Sequence, residues 1–127
     1  MSTDAASKLE GLSVFVVEDE ALVALNLEDM LADLGCTIVG PAMRVAKAQE
    51  MLAQALQADV AILDVNVAGE LVFPVAEELA SKGIPIIFAT GYGQAGLPEA
   101  WHGNTILQKP YTMEDVSGSL SKAVRRS

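Results

Sequence analysis

Apolar positions along this chain alternate between two rhythms. Residues 12–17, 36–39, 60–63, 84–89 and 105–108 are short, mostly apolar and partly β-branched runs, the pattern of strands buried on both faces. Between them, apolar residues recur every three or four positions. Val23, Leu27, Met30, Leu31 and Leu34 form one stripe that stops at Gly35, and Val45, Ala48, Leu52, Ala55 and Leu56 form a second. Both predict helices with one buried face. A third helix is expected to begin around residues 71–74, with Pro74 in its first turn, and to end at Lys82-Gly83. The last should start after Thr112, where Asp115 three residues on suggests a capping box and Val116, Leu120 and Val124 face inward. Gly40-Pro41 is expected to close the second strand. The stretch 91–104 holds Gly91, Gly93, Gly96 and Gly103, with Pro98 among them. An interior glycine costs a helix about 1 kcal/mol relative to alanine and an interior proline about 3. Any helix there should be short, about residues 98–102.

Five strands alternating with helices predict an α/β fold: a five-stranded parallel sheet, doubly wound as (βα)5, with the flavodoxin-like order 2-1-3-4-5. Residues 1–10 read as a flexible leader and 11–127 as one domain without an output domain. In such sheets ligands bind beyond the carboxyl ends of the strands, where strands 1 and 3 diverge. Here strand 1 ends in Glu18-Asp19, strand 3 in Asp64, strand 4 in Thr90 and strand 5 in Lys109. A carboxylate at the end of a buried strand is costly unless something there uses it. An Asp in such a place commonly caps the next helix, but Val65, Asn66 and Val67 follow Asp64 before any helix can start.

Composition narrows the chemistry. The 127 residues are 51% hydrophobic and 20% charged, which suits one globular domain with a filled core. Seventeen acidic against eight basic residues give a formal net charge of −9, a balance that disfavours tracking a phosphate backbone. The basic pair Arg125-Arg126 suits the last turn of a helix. One cysteine, Cys36, and one histidine, His102, exclude a disulfide framework and a Cys/His zinc site. Cys36 reads as core, and His102 has no partner with which to share a metal. Residues 1–10 carry Asp4, Lys8 and Glu10 and no apolar core, so they do not resemble a signal peptide. No apolar run approaches membrane-spanning length. A soluble, cytoplasmic protein is expected.

Three carboxylates converging on one crevice need a cation if all are to stay ionised. Oxygen donors without His or Cys suit Mg²⁺, which keeps several waters and takes one or two carboxylates together with a phosphate. Lys109 supplies a point charge and Thr90 a hydroxyl for phosphoryl oxygens. Such a set is equipped for an aspartyl-phosphate intermediate.

The residues that carry these groups also carry a resemblance. Val-Val-Glu-Asp-Glu (16–20), Ile-Leu-Asp-Val-Asn (62–66), Ala-Thr-Gly (89–91) and Gln-Lys-Pro-Tyr (108–111) resemble, in order and spacing, the motifs of receiver domains of bacterial two-component response regulators. The likeness covers essentially residues 12–126. It implies that Asp64 accepts a phosphoryl group from a histidine kinase or histidine phosphotransfer protein. It implies direct Mg²⁺ binding by Asp19, Asp64 and the Asn66 carbonyl, with Glu18 acting through water. Thr90 and Lys109 would hold the phosphoryl oxygens, and the Lys109–Pro110 peptide would be cis. The Phe-Ala-Thr-Gly-Tyr string at 88–92 resembles a subgroup named for that motif, often stand-alone receivers in stress-response phosphorelays.

The chain departs from the family pattern in three places. Glu18 stands where Asp is commoner, Ala68-Gly69 replaces a proline that many receivers carry four residues after the phosphorylated Asp, and Ile106 occupies an aromatic switch position. The resemblance further implies a phosphorelay intermediate, phosphate sink or regulator in trans, monomeric or weakly dimeric, catalysing only its own phosphorylation and dephosphorylation. Nucleic acid and membrane are not expected partners. Three alternatives compete. A nucleotide-binding enzyme would use the G-x-G-x-x-G match at 91–96, but Leu97-Pro98 interrupts the helix that match should open. An aspartate-nucleophile phosphatase would want an acid at Asn66 and a cap domain. A phosphorylation-independent interaction module would be expected to lack one of Asp19, Asp64, Thr90 or Lys109.

Overall fold

The computed structural model describes residues 9–126. Five parallel strands form one sheet: β1 (Ser13–Val17), β2 (Thr37–Ala42), β3 (Val60–Asp64), β6 (Ile86–Thr90) and β7 (Thr105–Gln108). Their order is β2-β1-β3-β6-β7, the expected 2-1-3-4-5 once two short strands are set aside. Those two, β4 (Asn66–Val67) and β5 (Glu70–Leu71), make a separate antiparallel hairpin just after β3. The helices are α1 (Ala21–Asp33), α2 (Val45–Ala53), α3 (Phe73–Ser81) and α4 (Met113–Arg126).

Because side chains alternate along a strand, each continuous apolar run feeds two cores. Phe15, Val17, Ala61, Leu63, Ile86 and Phe88 point to one face, where Val45, Ala48 and Leu52 of α2 and Val75, Ala76 and Leu79 of α3 cover them. Val14, Val16, Val60, Ile62, Ile87, Ala89 and Leu107 point to the other, against Leu27 and Leu31 of α1 and Val116, Leu120 and Ala123 of α4. The capping box forms as expected: the Thr112 amide donates to Asp115 Oδ2 at 2.9 Å and the Asp115 amide to Thr112 Oγ1 at 3.1 Å. Among the described residues no helix is long and apolar enough to cross a membrane.

Several boundaries differ from the sequence expectation. β2 continues through Gly40-Pro41 to Ala42, with a register shift against β1, because an edge strand can carry a proline whose missing N–H faces away from the ladder. Both Gly40–Pro41 and Lys109–Pro110 are cis. The second helix stops at Ala53, and Ala55, at φ 60°, turns the chain, so that Leu56 packs on the core from a loop. In the expected leader, residues 1–8 lie outside the described residues, while Leu9 is buried in the core at 1% exposure. The stretch 91–104 contains no α-helix; it forms 3-10 turns at Gly93–Gly96 and Glu99–Trp101.

Leu120, with 0% exposure, bridges α4 to the sheet. Leu120→Ala should therefore lower the unfolding free energy by about 2–5 kcal/mol. Leu22→Ala, at a position 76% exposed, should stay within about 0.5 kcal/mol of the parent. Urea unfolding of the two variants checks both.

Candidate functional site

The strand order brings the polar strand ends to one rim. Glu18 and Asp19 follow β1, Asp64 ends the neighbouring β3, Thr90 ends β6, and Lys109 follows β7. Carboxylate oxygens of Glu18, Asp19 and Asp64 all lie within 4.8 Å of one another. Lys109 Nζ stands 3.2 Å from Glu18 Oε1 and 3.3 Å from Asp64 Oδ1, and the Lys109 amide donates to the Thr90 carbonyl at 2.9 Å. The second Glu18 oxygen, Oε2, accepts the Glu20 amide at 3.1 Å. Thr90 is buried, and its Oγ1 accepts the Tyr92 amide at 3.1 Å. Asn66 is exposed at the start of the hairpin, where its Oδ1 accepts the Gly69 amide at 3.0 Å; its side chain is occupied by the turn.

Burial sets the electrostatics. Glu18 is 3% exposed. Loss of water pushes its carboxyl up to about 7, against the Glu20 amide and Lys109, which favour the charged form, and with the Asp64 charge adding to the rise. Desolvation likewise raises Asp64, with the Lys109 ammonium opposing it. At Asp19 the slight desolvation is outweighed by hydrogen bonds, the Ala68 amide foremost, and its carboxyl lies below the usual range. Lys109 loses some hydration, but the Asp64 and Glu18 charges beside it raise its pKa and keep it protonated. An oxygen-only cluster of this kind fits a hard divalent cation such as Mg²⁺. Glu18, Asp19 and Asp64 bring together the oxygens that would face such an ion, directly or through water.

Three further groups bear on the site. The Ala68 amide donates to Asp19 Oδ2 at 2.9 Å; a main-chain donor leaves no mark in the residue type. The Tyr111 hydroxyl is buried without a hydrogen-bond partner among the described residues. Desolvation first, and then the Glu18 charge, push its pKa up to about 12. Tyr111 closes the Gln-Lys-Pro-Tyr string, so the motif contained the residue without revealing its role. Gly96 lies against Thr90: a Cβ on Gly96 would stand 2.9 Å from Thr90 Oγ1 and 3.0 Å from Tyr92 Cβ.

The 91–104 segment is tied down by side chains. Gln108 Nε2 donates to the Gly91 carbonyl at 2.9 Å, Gln94 Nε2 to the His102 carbonyl at 3.1 Å, and the His102 ring to the Leu97 carbonyl at 2.8 Å. Trp101 stacks on Phe73 with ring centroids 6.1 Å apart and meets Phe88 edge-on at 5.5 Å. Ile106 packs against the same core, partly buried.

Comparison with known proteins gives a consistent neighbourhood. The profile of the response regulator receiver domain matches residues 14–121. Transcriptional regulatory protein PdtaR of Mycobacterium tuberculosis (strain CDC 1551 / Oshkosh) is 35% identical over 117 residues, which are 89% of this chain and 57% of PdtaR. The chain thus spans little more than half the length of that relative. The solution structure of the BeF3-activated conformation of SdrG from Pseudomonas melonis Fr1 superposes with a TM-score of 0.77 at 40% identity, covering 90% of this chain and 98% of SdrG. The crystal structure of the anti-anti-sigma factor PhyR from Bartonella quintana superposes with a TM-score of 0.82 at 27% identity, over 98% of this chain and 51% of PhyR.

The burial of Glu18 gives the fold a pH response. Glu18 titrates at about 7 in the fold against an ordinary value of 4.5, so between those values the folded protein holds more protons than the unfolded chain. In metal-free buffer this group should make stability fall as pH rises from about 4.5 to about 7, with no further loss above. Urea midpoints across that range, together with the carboxyl carbon shift of Glu18, test it. Glu18→Gln should flatten the dependence.

Proposed function

The chain belongs to the response regulator receiver domain family, and from that premise we propose that Asp64 accepts a phosphoryl group from a histidine kinase or histidine phosphotransfer protein in a Mg²⁺-dependent reaction. The observation that carries this reading is the Lys109 ammonium 3.3 Å from Asp64 Oδ1 and 3.2 Å from Glu18 Oε1. A nucleophilic carboxylate must be ionised, and Asp64 sits where burial opposes ionisation; Lys109 offsets that cost. One Asp64 oxygen attacks phosphorus while the bond to the donor imidazole nitrogen breaks; the donor ring, protonated on its other nitrogen, keeps the N–P electron pair and leaves as neutral imidazole, and Asp64 becomes a mixed anhydride. Mg²⁺, when bound, screens the negative charge of carboxylates and phosphoryl oxygens. Asp19 and Asp64 would hold it, with the Asn66 carbonyl, and Glu18 would act through water. Lys109 is close enough to follow the charge as it moves from Asp64 to the phosphoryl oxygens. The Thr90 hydroxyl, which already accepts the Tyr92 amide, still has its own proton to donate to one of those oxygens.

The output of this chemistry is protein–protein contact, without turnover of a metabolite. Exposed Leu22, Met43, Tyr92 and Met113 each come soon after the carboxyl end of a strand, and Leu71 ends the hairpin after β3, so apolar side chains stand exposed at the same end of the sheet as the acids. Such surface suits a docking protein, and the net charge of −9 disfavours duplex nucleic acid. The segment 91–104 is the part that responds, because Thr90 and Gln108 hold its first residues and Trp101 packs on Phe88.

Intact mass after incubation with a small acyl phosphate and Mg²⁺ should show one added phosphoryl group. Asp64→Asn should add none, and Asp19→Asn should lose roughly tenfold or more in Mg²⁺ affinity. Full labelling of the Asp64→Asn protein would overturn the assignment. Beryllofluoride should shift the Trp101 emission and alter amide exchange over 91–104. A change confined to α4 and β7 would show that the response takes another route.

A further inference from the structure

The hairpin that follows Asp64 does more than connect β3 to α3. Val67 anchors it in the core with 0% exposure, and the Val72 amide closes it on the Val65 carbonyl at 2.9 Å. Its two turn residues, Ala68 at φ 52° and Gly69 at φ 87°, have the paired positive φ of a tight two-residue hairpin turn. The Asn66 side chain braces the turn through the Gly69 amide. What remains is the Ala68 N–H, which points across the crevice to Asp19 Oδ2, 49 residues away in sequence, at 2.9 Å.

We propose that the Ala68 backbone amide is a positioning donor that presets the Asp19 carboxylate for Mg²⁺, so that the hairpin turn sets the metal affinity of the site. Asp19 is the least buried of the three clustered acids, and among the described residues no cation is bonded to it. A carboxylate with one oxygen fixed by a rigid N–H loses rotational freedom before the ion arrives, and Asp19 keeps a carboxylate oxygen within 4.8 Å of those of Glu18 and Asp64. Hydrogen bonds of this kind to a ligand carboxylate govern metal affinity as well as the ligands do. A proline at position 68 would have no N–H to give. The proposal rests on the metal reading above, and the tests below separate the two.

A chemically clean test replaces Ala68 by lactic acid, turning the amide into an ester that keeps the methyl group and the turn but lacks the N–H. Mg²⁺ affinity by calorimetry should fall roughly tenfold. Turn variants give an independent measurement. A side chain at Gly69 meets nothing within 4 Å, so substitutions there act only through the backbone. Gly69→Val, β-branched and strained at positive φ, should weaken Mg²⁺ binding, while Gly69→Asn, which tolerates that conformation, should restore it. Without any metal, the Ala68 amide should exchange faster with solvent in Asp19→Ala than in the parent. Wild-type affinity in the ester protein, or unchanged Ala68 exchange in Asp19→Ala, would overturn the proposal and leave the phosphoacceptor reading intact. Absence of Mg²⁺ binding by the unmodified protein would overturn both.

Discussion

One ammonium group held against two carboxylates makes this rim tenable. Glu18 and Asp64 lie on adjacent strands and Asp19 joins them, so three acids crowd within 4.8 Å in a chain that already carries a net charge of −9. Lys109 answers from β7, two strands beyond β3, and its side chain must reach past the end of β6 to make contact. The strand order therefore decides which charged groups meet at the rim as well as how the chain is connected. The same pairing leaves the fold with a cost that it does not fully cancel, since Glu18 still sits at about 7. A site that resists its own charge in this way is ready to take up a cation.

Much of this was legible in residue order. Runs of apolar residues that end in a polar one locate strands and their carboxyl ends together, so Glu18, Asp19, Asp64, Thr90 and Lys109 could be placed on one rim before any coordinates. What escaped depends on backbone or on context. Ala68 acts through its N–H, which nearly every residue possesses. Gly40-Pro41 reads as a stop because proline donates no hydrogen bond, yet β2 is an edge strand where one side of the ladder is not needed. Ala55 and Leu56 continue the helical period of α2, but the chain turns at Ala55 and delivers Leu56 to the same core from a loop. Leu9 stands between Lys8 and Glu10 in sequence, and a lone apolar residue among charges gives no period from which burial could be read.

The 91–104 segment shows how composition and tertiary contact divide the work. Four glycines and a proline remove the α-helix, as their backbone preferences require, and 3-10 turns take its place. The loss of helical hydrogen bonds is met by Gln94, Gln108 and His102, and the loss of a buried helical face by Trp101 on Phe73 and Phe88. Ile106 fills part of that core without an aromatic ring. The segment is thus held by a few discrete contacts, each of which can be released separately, whereas a helix would move as one body.

Gly96 defines its neighbourhood by volume withheld. The missing methyl leaves a gap beside Thr90 Oγ1, and a hydroxyl needs such clearance to rotate about its Cα–Cβ bond. An alanine at position 96 would bring its methyl within 2.9 Å of that oxygen and 3.0 Å of Tyr92 Cβ, so the hydroxyl or the loop would have to shift. The functional content of that residue is an empty space, visible only when the loop is folded back over the end of β6.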